Sequence, residues 1–166
     1  MIERGDILAA LAAASPECPA VQLAAVPPVA RLILRGAVHS MTPPPPCRAI
    51  VHEGCAVLWL GPDEFLLLAP DAIAPSVAAD CVVDVSHRDT ALTVAGPRAA
   101  WAINAFCALD LDQSAFPVGM CTRTLFGKSP IVLWRTATDG FRIEVARSFA
   151  PYVWACLEEA RREFLA

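Results

Sequence analysis

Three polar residues near the middle of the chain could form a hydrolytic triad. Asp84, Ser86 and His87 lie close together in the sequence, and serine, histidine and aspartate supply nucleophile, base and orienting group in many hydrolases. Val83 and Val85 alternate with Asp84 and Ser86, which predicts a strand whose neighbouring side chains point to opposite faces. Ser86 and His87 should therefore not meet, and no G-x-S-x-G elbow is present.

Two other places could carry acid–base or nucleophilic chemistry. Asp110 and Asp112 stand two positions apart at a predicted helix exit, and paired carboxylates can divide the acid and base roles. Solvated loop acids are the commoner outcome of such a pattern. Cys121 could act as a nucleophile only if its pKa were lowered, with Arg123 on the same strand face. We favour a buried strand cysteine.

Metal and nucleotide patterns are absent from the sequence. The seven cysteines include no C-x-x-C pair, and their odd number argues against a disulfide framework. His39 and His52 stand alone without metal-ligand spacing, and neither G-x-G-x-x-G nor a P-loop occurs. We therefore expect no catalytic, metal-binding or cofactor-binding residue in this chain, and free cysteines that pack as small hydrophobes.

Composition sets the class of protein. The 166 residues are 56% hydrophobic, enough for one domain with a real core. The net charge of -4 argues against nucleic-acid binding, which needs clustered lysine and arginine. No stretch approaches the roughly 20 apolar residues of a membrane span. We expect a cytoplasmic protein.

Short strands and few helices must position these residues. Alternating and fully apolar runs bounded by glycine and proline predict strands at 30–34, 48–52, 56–60, 64–69, 83–86, 92–95, 120–126, 131–135 and 141–145. Helices are predicted at 5–14, weakly at 70–79, at 97–106, and after Ser148 as a cap. The almost wholly apolar hairpin 56–69 should be covered on both faces.

The two halves of this pattern repeat one another. Trp59 and Trp134 each end a Val-Leu-Trp run, and Phe65 and Phe141 follow the next hairpin turns. The second half contains a helix where the first has the polyproline run 43–46. We predict an α+β fold of antiparallel or mixed sheet covered by helices. A lead segment, 1–28, precedes one domain, 29–166, whose halves are about 29–80 and 81–166; in the first half a proline connector replaces the helix.

Aromatic residues interleaved with arginines are concentrated in the second half, a composition enriched at protein interfaces. The predicted partner interface comprises Phe116, Met120, Arg123, Arg147, Phe149, Tyr152 and Trp154. Truncating a central aromatic such as Trp154 would then weaken assembly by about 2 kcal/mol or more.

Several motifs resemble a known family. The run Val-Asp-Val-Ser-His, a strand, and Gly-Pro-Arg-Ala within 82–100 resembles the folate-binding domain of the aminomethyltransferase (glycine-cleavage T-protein) superfamily. A closer resemblance is to the gamma-subunit family of heterotetrameric sarcosine oxidases. It rests on Trp59-Leu-Gly-Pro-Asp-Glu-Phe-Leu-Leu-Leu, Asp110-Leu-Asp, Phe116-Pro-Val-Gly-Met-Cys-Thr-Arg-Thr and Arg147-Ser-Phe-Ala-Pro-Tyr-Val-Trp.

The resemblance implies a duplicated α+β fold and a place in an oxidoreductase complex. In that complex sarcosine is demethylated oxidatively to glycine with hydrogen peroxide and, with tetrahydrofolate, methylene-tetrahydrofolate. FAD, FMN, NAD and tetrahydrofolate would serve the complex, with the flavins on the larger subunits. The gamma chain would pack on the alpha subunit without a flavin of its own.

Departures from the folate-using members bear on this chain's own chemistry. Asp110 stands where those enzymes keep a functional aspartate, but their Gly-Gly-x-x-Asp-Asp turn is Gly127-Lys-Ser-Pro-Ile-Val here. Arg147-Ser148 replaces the asparagine after the last strand, and nothing corresponds to the barrel-like second domain. We therefore expect a noncatalytic gamma subunit. The alternatives are a stand-alone folate-binding one-carbon protein using Asp110, or a gamma-type subunit of a related complex such as N-methylglutamate dehydrogenase.

Overall fold

Two five-stranded antiparallel sheets organise the chain. The computed structural model describes residues 8–70 and 77–165. In chain order the elements are α1 (Ala9–Ala14), β1 (Gln22–Ala25), β2 (Val29–Val38), β3 (Ala49–His52), β4 (Cys55–Gly61), β5 (Glu64–Pro70), β6 (Ala79–Asp84), β7 (Asp89–Ala95), α2 (Ala99–Asn104), β8 (Cys121–Phe126), β9 (Ser129–Ala137), β10 (Gly140–Ala146), α3 (Ala150–Arg161) and a 3-10 turn (Arg162–Phe164). Sheet I has the strand order β3-β4-β5-β2-β6, and sheet II the order β8-β9-β10-β7-β1.

Two outer strands are exchanged between the sheets. Strand β1 precedes β2 in the chain but pairs antiparallel with β7, with Leu23 opposite Val94. Strand β6 precedes β7 but pairs with β2, with Val83 opposite Ile33. Each sheet therefore carries one outer strand that does not pair with the strand following it in the chain.

The starts of β3 and β8 tie the two sheets together. Arg48 and Met120 form an isolated antiparallel bridge. The N–H of Ala49 donates to the Gly119 carbonyl at 2.8 Å, and the N–H of Cys121 donates to the Cys47 carbonyl at 3.0 Å. These reciprocal bonds close one side of the space between the sheets.

The described residues form three apolar clusters. The largest lies between sheet II and the helices and includes Ile103 of α2 and Trp154 of α3 together with Leu92 and Leu133 of the sheet. The hairpin β4–β5 is buried on both faces, as its apolar runs predict: Leu58 and its neighbours face the second sheet, while Val57 and its neighbours face outward. Met41 and Val77, outside any strand, pack on that outward cluster.

A buried arginine fastens the N-terminal segment. The guanidinium of Arg161 donates to the Val21 carbonyl at 3.0 Å, to Ser15 Oγ at 2.6 Å and to the Pro16 carbonyl at 3.0 Å. Strand β1 was not predicted, because its four residues, Gln-Leu-Ala-Ala, carry little strand preference and form only by pairing with β7.

Element boundaries depart from the predictions in a few places. Helix α1 begins at Ala9, and the start of the predicted helix 5–14 lies outside the described residues. Most of the weak helix 70–79 does so too. Ser148 does not cap the last helix: Phe149 is the N-cap residue without a side-chain bond, and Pro151 favours the first turn instead. Within residues 8–70 and 77–165 no helix is long and apolar enough to cross a membrane.

Candidate functional site

The triad residues do not form a catalytic group. Ser86 is buried and its Oγ accepts the backbone N–H of Arg31 at 2.9 Å. Asp84 Oδ1 accepts the N–H of Ser86 at 2.8 Å, and His87 is exposed in the following turn. The hydroxyl and the carboxylate thus stabilise the turn after β6. Strand β6 ends at Asp84 instead of continuing through Ser86 as predicted, so Ser86 and His87 do not alternate in a strand.

The two aspartates are exposed loop acids. Asp110 Oδ1 accepts the N–H of Asp112 at 2.9 Å. Asp112 Oδ1 in turn accepts the N–H of Ser114 at 2.9 Å and its hydroxyl at 2.6 Å. Bonds from Ser114 lower the pKa of Asp112, which therefore stays ionised. Both carboxylates serve their own loop rather than acid–base catalysis.

Cys121 is a buried, protonated thiol. Its side chain faces the space between the sheets, and its Sγ donates to the Trp59 carbonyl at 3.6 Å. Burial raises the pKa of Cys121 to about 12, which removes the thiolate that a nucleophile needs. Among the described residues all cysteines are free and no histidine, cysteine or carboxylate group has the geometry of a metal site.

The space between the two sheets opens to solvent at one end as a cleft of about 270 Å³. Ile33, Leu60 and Leu66 of sheet I and Ile131 of sheet II form apolar walls, and Arg88 and Arg123 stand at the mouth. We call this opening, with those residues and the paired Arg35 and Glu64, the arginine cleft. In this cleft apolar walls meet exposed charged side chains.

One carboxylate at the mouth is shared by two arginines. Glu64 accepts bonds from both guanidinium nitrogens of Arg123, one at 3.1 Å, and a bond from Arg35 at 3.0 Å. The bond from Arg123 is the largest cause that holds the pKa of Glu64 below its usual value. The side chains of Arg35, Arg88 and Arg123 are 55%, 63% and 50% exposed, so their outer donors remain accessible to a ligand.

Deeper between the sheets lies a buried ion cluster. Arg31 Nε donates to Glu144 Oε2 at 2.7 Å, and Arg142 Nε donates to Glu144 Oε1 at 2.7 Å. The terminal nitrogen Nη2 of Arg31 has no hydrogen-bond partner among the described residues. This cluster was not predicted from the sequence; the signal that could have revealed it is a charged residue inside each apolar run, Arg31 in Ala-Arg-Leu-Ile-Leu and Glu144 in Ile-Glu-Val.

Large apolar side chains surround the same end of sheet II. Val145 and Ala146 line the cleft, and the next residue, Arg147, donates its N–H to the Arg88 carbonyl at 3.0 Å. Phe149 and Tyr152 follow at the start of α3, with 42% and 38% of their surface exposed.

The seven residues of the predicted partner interface differ in how far they are buried. Arg123, Phe149 and Tyr152 present exposed surface, and Met120 and Arg147 are half-buried. Phe116 and Trp154 are 2% exposed and belong to the core beneath sheet II, so they offer no surface to a partner. Aromatic composition alone could not separate core from surface here, because α2 and α3 need aromatic residues for both.

Comparisons with known proteins are consistent in what they find. The family model described as "Sarcosine oxidase, gamma subunit family" matches residues 33–163. Sarcosine oxidase subunit gamma from Corynebacterium sp. (strain P-1) is 38% identical over 120 residues, and its counterpart from Arthrobacter sp. is 34% identical. Each alignment covers 68% of this chain and 59% of the relative, so the chain matches little more than half the length of these curated relatives.

Two solved structures superpose on this fold. A chain of the heterotetrameric sarcosine oxidase from Corynebacterium sp. U-96, in complex with pyrrole 2-carboxylate, superposes with a TM-score of 0.81 and 31% identity. That match covers 97% of this chain and 96% of the other. The glycine cleavage system aminomethyltransferase T from Bartonella henselae superposes with a TM-score of 0.57 at 12% identity, over 84% of this chain and 46% of that one. The second likeness is one of fold alone, and it establishes the aminomethyltransferase-like α+β architecture with two antiparallel sheets.

Proposed function

Since the chain belongs to the sarcosine oxidase gamma subunit family, we propose that it is the noncatalytic gamma subunit of a heterotetrameric sarcosine oxidase. The observation that carries this proposal is the near-complete superposition on a chain of such a complex. The reaction of the complex would be oxidative demethylation of sarcosine to glycine, with hydrogen peroxide and, from tetrahydrofolate, methylene-tetrahydrofolate. FAD, FMN, NAD and tetrahydrofolate would serve the other subunits, and the complex would reside in the cytoplasm.

The role proposed for this chain is to bind the alpha subunit and stabilise the assembly. Its support is that Ser86, Asp112 and Cys121 are each committed to local structure rather than to chemistry. The alternative of a stand-alone folate protein is not favoured, because Asp110 is an exposed acceptor of its own loop. Met120, Arg123, Arg147, Phe149 and Tyr152 are the residues of the proposed interface that retain accessible surface.

We also propose that the two sheets arose by duplication, with halves near 29–80 and 81–166. The support is the strand order, since β3-β4-β5-β2 of sheet I and β8-β9-β10-β7 of sheet II follow one scheme. The proline connector would stand in for the helix in the first half. Met41, from the segment between β2 and β3, packs on the outer face of sheet I, while α2 and α3 cover the corresponding face of sheet II. Residues 1–28 would be a lead segment added to this pair.

Affinity purification of the tagged chain from its native cell tests the proposal. We expect larger subunits with a flavin absorbance spectrum to co-elute, and the eluate to oxidise sarcosine with release of hydrogen peroxide. The same purification after mild salt dissociation should yield this chain without flavin absorbance. A chain that elutes alone from wild-type cells under gentle conditions would contradict the subunit assignment.

A further inference from the structure

The arginine cleft has the charge and shape of a groove for an acidic segment of a partner protein. We propose that the alpha-type subunit inserts into this cleft a segment in which an aspartate or glutamate adjoins apolar side chains. This inference rests on the proposed function and names the chemistry by which that partner is bound.

Charge is the first support. At the mouth, the side chains of Arg35, Arg88 and Arg123 are at least half exposed, whereas those of their carboxylate partners Glu64 and Asp89 are only 10% and 16% exposed, so the accessible charge is positive. This local excess of positive charge occurs in a chain whose net charge is -4. A cleft that concentrates the minority charge of the protein attracts and orients an acidic partner.

The hydrogen-bonding capacity at the mouth is the second support. Arg35 and Arg123 share the single carboxylate of Glu64, and a guanidinium carries five donors. Arg88 pairs with Asp89 through Nε and one terminal nitrogen, at 3.1 and 2.9 Å. An incoming carboxylate can therefore bind the remaining donors while the existing ion pairs stay intact.

The apolar walls are the third support. A small hydrated anion makes no favourable contact with apolar walls, whereas the apolar side chains of a protein segment do. Ile33, Leu60 and Leu66 line the depth of the cleft. On the neighbouring edge strand β8, Leu125 is 57% exposed and, two residues beyond Arg123, lies on the same strand face. An acidic residue flanked by apolar side chains would cover this surface and pair with the arginines at once.

Opposite charges at one rim position provide the sharpest test. Leu125→Glu and Leu125→Lys change the same exposed side chain, and neither removes a member of the cleft's ion pairs. With the chain co-expressed with its flavin subunits, we expect Leu125→Glu to weaken assembly at least tenfold in apparent Kd, measured by titrated pull-down. Leu125→Lys should retain or exceed wild-type affinity.

A second pair of variants probes the arginines directly. Arg88→Met combined with Arg123→Met should weaken assembly by a similar factor, while Arg162→Met, which removes an exposed, ion-paired arginine of the 3-10 turn, should leave assembly unchanged. Each variant chain is first compared with wild type by thermal unfolding, so that a loss of folding is recognised.

The inference is overturned if Leu125→Glu and Leu125→Lys affect assembly equally, or if the double methionine variant assembles like wild type. It is also overturned if assembly is unaffected and inorganic phosphate raises the Tm of the wild-type chain but not of the double variant, since the cleft would then take a small anion. Failure of the wild-type chain to co-purify with flavin subunits contradicts the proposed function instead.

Discussion

At the scale of single residues, Glu144 holds two positive charges between the sheets. Arg31 and Glu144 are both almost fully buried, and Arg142 reaches the second oxygen of the same carboxylate. Burying a charge costs desolvation free energy, and the attraction between two buried ions offsets that cost only while both partners are present. The carboxylate is therefore required for the sheets to face one another with these arginines inside.

Replacing Glu144 by glutamine should be strongly destabilising. The amide keeps the shape of the side chain but leaves Arg31 and Arg142 without a counter-charge, so we expect a loss of about 3–5 kcal/mol in the free energy of unfolding. Glu159→Gln, which removes the exposed partner of Arg162, should cost less than about 1 kcal/mol. Urea denaturation of the two variants measures both, and equal losses would contradict the role of the buried cluster.

The Glu64 carboxylate should make stability depend on pH. Its pKa in the folded chain lies below the ordinary value of 4.5, chiefly because Arg123 bonds to it. A lowered folded-state pKa contributes stability that is fully present above 4.5 and is lost as the pH falls through the folded-state value. Glu64→Gln should therefore be less stable than wild type at pH 7, and the gap should narrow below pH 4.5. A gap that stays constant from pH 7 to pH 3 in urea titrations would refute this.

Local sequence patterns predicted the role of a residue well only where that role depends on the residue's own segment of the chain. The alternation around Ser86 predicted a strand through that residue, but Ser86 and His87 lie in the turn after β6. The apolar setting of Cys121 correctly predicted a buried thiol. The Arg31–Glu144 pair joins residues more than a hundred positions apart, and the periodicity of either strand carries no information about the other. A charged residue inside an apolar run indicates that a buried partner is needed, but which residue is the partner follows only from the arrangement of both sheets.

At the scale of elements, a glycine permits the exchange of outer strands. Gly96 ends β7 with φ +118, and a Cβ placed there would lie 2.6 Å from the Ala20 carbonyl oxygen and 2.9 Å from that of Pro19. Both contacts are to backbone, which cannot rotate away as a side chain does. Close passage of the N-terminal segment over β7 thus requires glycine at this position.

Two glycine-to-alanine variants separate conformational strain from steric contact. Gly119 also has a positive φ, +84, but a Cβ added at this position would have no neighbouring atom within 4 Å. We expect Gly119→Ala to cost about 1 kcal/mol through backbone strain alone. Gly96→Ala should cost about 1–3 kcal/mol more, and hydrogen exchange should accelerate in residues 18–25. Equal thermal shifts in the two variants would show that the N-terminal segment tolerates displacement.

The positions of the strands were more predictable from the sequence than the way in which the strands pair. The apolar hairpin β4–β5 and the three strands β8 to β10 follow from alternation and turn residues, whereas β1 has neither signal. The exchange of β1 and β6 between sheets could not be foreseen, because strand pairing is fixed by contacts across the fold rather than by local pattern.

At the scale of the whole molecule, variants of two aromatic residues can separate effects on folding from effects on assembly. One residue lies in α3 and the other is its N-cap residue. Trp154 is buried in the core, while Phe149 is 42% exposed. Trp154→Ala should lower the free energy of unfolding of this chain by about 3–5 kcal/mol, and any effect on assembly would follow from that. This replaces the expectation that Trp154 is an interface residue.

Phe149→Ala should show the opposite behaviour. Its thermal unfolding should stay close to wild type, because surface substitutions change stability by about 0.5 kcal/mol. Titrated pull-down with the flavin subunits should instead show weaker binding, by about 1–2 kcal/mol for an aromatic at an interface. If the alanine variant binds as tightly as wild type, Phe149 lies outside the contact surface.

The exchanged outer strands also govern the order in which the chain can fold during synthesis. Strand β1 must wait for β7, roughly seventy residues later in the chain, which takes about 4–14 s at ribosomal rates of about 5–20 residues per second. Pairing across such a separation also slows folding, because the entropy cost of closing a long loop comes before any stabilising contact forms. Sheet II is complete only after β10 has emerged, so a partner that requires the whole sheet can dock only once the chain has been synthesised through β10.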